Sequence, residues 1–325
     1  MNRRRILFAA SSVVAVGAID IGRADALGRL PIHGSRDMTA GKFHALRRFI
    51  AFDKGRIAYV DVGTGLAALF LHGFPLNGFQ WRGVIPKLSR FRRCIAPDWM
   101  GLGYTEVAEG QSVAPRAQAA MLAQLLDRLS IERVDIVAND SGGAIAQLFT
   151  VRNPQRVRSL LLTNCDTEPD SPPPSVLPVI ELARKGRYAD EWLAPWLADK
   201  TLARSKTGLG GACYMDPNHP TDEAIETYLA PLVASPQRKK LTNAYAISLD
   251  PNPLAGIESE LRRCTMPLRI VWGTGDKIFS QGGADYLSHT LPNSRGVRRV
   301  PGAKLFFPEE VPDVIVEEAR HLWSV

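Results

Sequence analysis

At 325 residues the chain is long enough for about two average domains or one large domain carrying an insertion. Its 45% hydrophobic and 22% charged residues, with 27 Gly and 23 Pro scattered throughout, are those of a globular protein and exclude disordered, collagen-like and coiled-coil classes. The net charge of +7 is dispersed, and its densest late run, Arg238-Lys239-Lys240, reads as a solvated helix face, so no nucleic-acid partner is expected. Four Cys without a C-x-x-C pair make neither a disulfide scaffold nor a zinc site, and no metal or organic cofactor is implied.

The chain opens with Arg3-Arg4-Arg5, an apolar stretch over Ile6 to Ile19, and Ala24-Asp25-Ala26. That order is the layout of a secretory signal over residues 1–26, and the arginines before Ile6-Leu7 resemble a twin-arginine export signal, so a periplasmic destination is expected. The stretch is too short to span a bilayer, and no later stretch is long and apolar enough either. Loss of its four Arg and two Asp lowers the net charge from +7 to +5.

From about residue 46, short apolar runs alternate with amphipathic stretches, which predicts strands interleaved with helices and a mostly parallel sheet. Arg47 to Phe52 and Arg56 to Val62, around Asp53-Lys54-Gly55, predict an opening hairpin. Ala67 to Leu71, Arg93 to Ala96, Val134 to Ala138 and Ser159 to Thr163 are compact apolar runs suited to strands buried on both faces. Met121, Leu122, Leu125, Leu126 and Leu129 recur at helical spacing and predict a helix covering the sheet. After Thr163 the run Ser171-Pro172-Pro173-Pro174 breaks the pattern, and helical signals without strand signals continue to about residue 263. Strand character returns at Leu268 to Trp272 and near Val297 to Val300, before a closing helix from about Glu309. The expected organisation is a core at 27–166 and 264–325 with an inserted helical cap at 167–263.

The chemistry concentrates at Val134 to Gly143, an apolar strand running through Ala138-Asn139-Asp140-Ser141-Gly142-Gly143 into a helix. A nucleophile elbow requires small residues two before and two after the reactive side chain, because the backbone there is strained and close to its neighbours. Ala138 and Gly142 meet that requirement around Asp140. The carboxylate would stand beside the first N–H groups of the helix, which favour its ionised, nucleophilic form. Two other readings exist: Ser141 as nucleophile, which would put Asn139 in a position that wants a small residue, and Asp140 as a simple helix N-cap.

Leu71-His72-Gly73-Phe74-Pro75, Trp81, Pro97-Asp98, Gly101-Leu102-Gly103, the elbow and Trp272-Gly273-Thr274-Gly275-Asp276 fall in the order and spacing of the α/β-hydrolase fold, over about residues 45–320. The His-Gly-x-Pro loop joined to an Asp elbow resembles the epoxide hydrolase and haloalkane dehalogenase branch. The resemblance implies an α/β class fold with a mostly parallel eight-stranded sheet flanked by helices. It also implies attack of Asp140 on carbon, followed by hydrolysis of the resulting ester, with a small-molecule substrate as partner. Phe74 and Ser141 N–H would form the oxyanion hole, supported by His72, Gly73, Pro75 and Gly142. Asp276 would occupy the position of the acid that orients a catalytic histidine.

That histidine is missing. The stretch Pro301-Gly302-Ala303-Lys304-Leu305-Phe306-Phe307-Pro308-Glu309-Glu310 puts Leu305 in its position, and His289 and His321 flank the region without replacing it. Attack by an ionised aspartate needs no base, whereas ester hydrolysis needs an activated water. The open alternatives are a base supplied by Asp276 or Glu309, or a hydrolase-fold protein that binds a ligand under its cap without turnover. Ser141 stands where dehalogenases and many epoxide hydrolases carry a Trp, whose indole in dehalogenases helps hold the leaving halide, so the resemblance to dehalogenases is weakened relative to an epoxide or ester substrate. In the cap, Trp192, Trp196, Tyr228 and Tyr245, with Tyr214, are the candidates for substrate contact.

Overall fold

The computed structural model describes residues 38–325, so the export segment read over residues 1–26 lies outside the described part. Nine strands form one sheet: β1 (Arg47–Phe52), β2 (Gly55–Val62), β3 (Ala67–Leu71), β4 (Arg93–Pro97), β5 (Glu106–Val107), β6 (Val134–Asp140), β7 (Val157–Cys165), β8 (Leu268–Gly273) and β9 (Ser294–Val300). Eight follow the order β1-β2-β4-β3-β6-β7-β8-β9, and the two-residue β5 pairs β2 off that path. The β1–β2 and β2–β4 pairs are antiparallel; from β4 through β9 every pair along the order is parallel.

The central strands show why the apolar runs had to be internal. All residues of β3, β4 and β6 are buried, because helices cover both faces of a parallel sheet. The helix Pro115–Arg128 buries Met121, Leu122, Leu125 and Leu126, and its other face carries the charge. The helix Ser141–Arg152 is buried over ten consecutive residues, Ser141 to Thr150, so it runs through the interior. All four cysteines are unpaired and buried.

Between β7 and β8 the chain contains helices and turns, among them Leu177–Arg184, Asp222–Val233 and Pro236–Ile247. They lie over the carboxyl ends of the strands, where open α/β sheets bind ligands. Two polar ties hold this layer to the sheet. Arg238 donates to the carbonyls of Gly103 (2.6 Å) and Thr105 (3.1 Å), which corrects its reading as part of a solvated face. Glu309 accepts from Tyr214 (2.7 Å) and Tyr228 (2.9 Å) of the cap and from Arg82 of the core. No helix among the described residues is long and apolar enough to cross a membrane.

Candidate active site

At the end of β6 the chain turns into the helix Ser141–Arg152 through Asp140, whose φ of 55° and ψ of −135° are rare for a residue with a side chain. Such strain persists only where the surroundings enforce it. A Cβ on Gly142 would lie 2.6 Å from the carbonyl oxygens of both Leu71 and His72, so the helix can start this close to β3 only with glycine there. A Cβ on Gly73 would lie 2.5 Å from Asp140 Oδ2. The small residues at the elbow and in the His-Gly loop therefore answer to contact between these two loops.

Asp140 is only 7% exposed. Its Oδ2 accepts the Phe74 N–H at 2.8 Å, and the Ser141 N–H is a second donor. No side-chain capping bond to the helix is made, contrary to the N-cap reading. Ser141 Oγ is 3.1 Å from the Tyr245 hydroxyl and meets no histidine, so it lacks the base a serine nucleophile requires. Burial first, and then the nearby Asp166, push the Asp140 carboxyl well above the usual aspartate range, against the pull of the two backbone donors. Burial thus opposes the ionised form, and the Phe74 and Ser141 N–H groups favour it.

In front of Asp140 lies a cavity of about 220 Å³. That is below the ~300 Å³ where sites for drug-sized ligands begin. Phe74, Pro75, Val176, Val179, Leu209, Leu249, Ile278, Phe279 and Leu305 make most of its wall apolar. Trp192 and Trp196 line it from the cap, as does Tyr188, which the sequence reading did not single out. The Tyr188 hydroxyl has no hydrogen-bond partner among the described residues, and burial raises it far above the ordinary phenol value, which keeps it protonated.

Other residues fall elsewhere. Tyr228 does not line the cavity; it is buried between Arg82, which donates to its hydroxyl at 2.8 Å, and Glu309. Tyr245 sits behind the wall, stacked on Phe74 at 5.4 Å between ring centroids. Tyr214 donates to Glu309. Glu309 itself is held by three donors and is no base for a cavity water. His72 accepts the Trp99 N–H at Nε2 (3.2 Å), so its Nδ1 carries the hydrogen bonded to Gly73 O (2.8 Å). Burial lowers it to about 4, so it is neutral and fixes the loop. His289 and His321 are exposed and off the cavity.

Asp276 is buried but does not line the cavity. It accepts Asn164 Nδ2 at 2.7 Å and the Ile278 N–H at 2.9 Å, the bonding of an acid that organises its own turn. Leu305 instead presents its side chain to the cavity, and its carbonyl accepts Asn139 Nδ2 at 3.0 Å. Asn139 also accepts Gln80 Nε2 at 2.6 Å, and Gln80 accepts the Gly73 N–H at 2.9 Å. One amide chain thereby sets the elbow, the His-Gly loop and the Leu305 loop relative to one another.

The acid that does share the cavity with Asp140 is Asp166, unforeseen in the sequence. It follows Cys165, whose Cα pairs with that of Asp140 across β6 and β7. It is 5% exposed, and burial raises it to about 6. The available signal was positional: it is the first acidic residue beyond the carboxyl end of the strand beside the elbow.

The model of the alpha/beta hydrolase fold family matches residues 69–311. The chain belongs to the α/β-hydrolase fold family. Among its relatives, haloalkane dehalogenase 2 of Mycobacterium bovis is 28% identical over 82% of this α/β-hydrolase and 91% of the relative. A 2-hydroxy-6-oxo-2,4-heptadienoate hydrolase of Pseudomonas putida is 43% identical, but the match covers 31% of this chain and only 38% of that hydrolase's length. The solved structure of the epoxide hydrolase CorEH superposes with a TM-score of 0.71 at 22% identity, covering 86% of this chain and 98% of the other. The dehalogenase and the epoxide hydrolase are what this α/β-hydrolase resembles over most of its length, and the fold is what they share with it.

Proposed function

We propose that this α/β-hydrolase attacks carbon with the Asp140 carboxylate, on small, mostly apolar substrates, epoxides ahead of alkyl halides. The observation that carries the reading is a single geometry: a buried carboxylate on a strained elbow, held by the Phe74 N–H and facing an apolar cavity. In the first step one Asp140 oxygen bonds to the epoxide carbon as the ring C–O bond breaks. The alkoxide so formed takes the Tyr188 proton. Charge that later develops on the ester oxygen falls on the Phe74 and Ser141 N–H groups, already placed for it. Tyr188, rather than Tyr228 or Tyr245, is the cap phenol within reach of substrate. The absence of a Trp after Asp140 supports the preference for epoxides.

Turnover of styrene oxide and 1-bromohexane tests the reading, with Asp140→Ala as the control. Multiple turnovers lost in the variant support it. A second reading rests on Leu305, a leucine where the branch carries its base: a protein that binds a ligand under the cap without turning it over. It gains if these compounds raise thermal stability yet give neither product nor covalent adduct. The amino-terminal pattern carries a separate proposal of export, for which a mature terminus near Leu27 in the periplasmic fraction is the expected result.

A further inference from the structure

We propose that Asp166 is the general base that activates the water hydrolysing the Asp140 ester, in the role that Leu305 leaves vacant. This assignment rests on Asp140 being the nucleophile.

The titratable groups lining the cavity are Asp140, Asp166, Tyr188 and Cys213. Burial holds Cys213 protonated and, once Tyr188 has protonated the alkoxide, favours its return to the phenol by a proton from solvent, so neither takes the proton of the hydrolytic water. Asp140 is consumed in the ester. Asp166 remains, and it titrates near 6, where a base for neutral conditions is most effective. Its position follows from the sheet: the register pairs Asp140 with Cys165, so Asp166 leaves β7 beside the elbow. Ser171 Oγ donates to Asp166 Oδ1 at 2.8 Å and orients the carboxylate. No Lys or Arg pairs with it among the described residues. The groups facing it are Asp140, Cys165 and Tyr245, with Asp170 on its own turn, and none is a cation.

The step balances as follows. Water oxygen bonds to the Asp140 ester carbon while one water proton passes to Asp166. The tetrahedral oxyanion is held by the Phe74 and Ser141 N–H groups. Collapse breaks the bond to the substrate oxygen, which leaves with the proton returned by Asp166. The second water proton departs from the regenerated Asp140 carboxyl to solvent, balancing the one that solvent returned to Tyr188.

The test is rapid quench with styrene oxide, read by intact mass, on the wild-type protein, Asp166→Asn and Asp166→Glu. The expected result is an adduct on all three. It should decay in wild type with a rate that rises through about pH 6, decay about 100-fold more slowly and without that pH dependence in Asp166→Asn, and recover in part in Asp166→Glu. An adduct that Asp166→Asn clears at the wild-type rate and pH profile overturns the base assignment and leaves the nucleophile standing. So does an adduct that wild type never clears. Absence of any adduct on the wild-type protein overturns the nucleophile and the base together.

Discussion

Replacing Asp166 by Asn is expected to stabilise the protein in a pH-dependent way. Burial raises the carboxyl from 3.8 to about 6, so the folded protein holds this proton more tightly than the unfolded chain does. For an acid with a raised folded value, the stability cost is absent below pH 3.8, grows between 3.8 and 6, and is complete above 6. The difference corresponds to about 3 kcal/mol. Asn keeps an oxygen to accept the Ser171 hydroxyl and removes the ionisation. Thermal denaturation should therefore show Asp166→Asn and wild type nearly equal at pH 4, with the variant ahead by roughly 5 to 10 °C at pH 7.5. Burial and the nearby Asp166 raise Asp140 as well, so Asp140→Asn should also stabilise as pH rises above the ordinary aspartate range, and the double variant should gain less than the sum. A shift that is the same at both pH values, or a destabilised Asp166→Asn at pH 7.5, refutes the reasoning.

Three further outcomes are expected. Tyr188→Phe should slow adduct formation from styrene oxide about 100-fold while leaving attack on 1-bromohexane unchanged, since only the epoxide needs a proton on its leaving oxygen; quench kinetics with both compounds decide it. Glu309→Ala should cost about 3 to 5 kcal/mol in chemical denaturation, because it leaves Arg82 buried without its anion and frees the Tyr214 and Tyr228 hydroxyls. Leu305→His should place an imidazole at the cavity wall beside the Asp276 loop and speed adduct decay in the Asp166→Asn background; unchanged decay there would show that the leucine's position cannot serve a base.

The parts of the fold visible in the sequence were those set by period and by crowding. Strands buried on both faces are uniform apolar runs, and Val134 to Ala138 could be recognised without its neighbours. Gly142 was informative because contact with Leu71 and His72 permits no side chain there. The cap was legible only as a class. Tyr188, Tyr228 and Tyr245 have the same local character, yet only the packing of Arg82 and Glu309 around one, and of Phe74 and Ser141 around another, assigns the third to the cavity. Asp276 and Asp166 show the same division. Each is an acid shortly after a strand, and the choice between them is made by which side chains wall the cavity. Leu305 was visible in the sequence as a residue on the loop after β9, whereas the presence of Asp166 at the cavity depends on the register of β6 against β7.

The central claim is tested most directly by mapping the protein after brief reaction with styrene oxide and acid quench. The mass of one added styrene oxide on the peptide carrying Asp140, lost in Asp140→Asn, is the result expected. Adduct located on Ser141 or Cys213, or modification that survives Asp140→Asn, contradicts it.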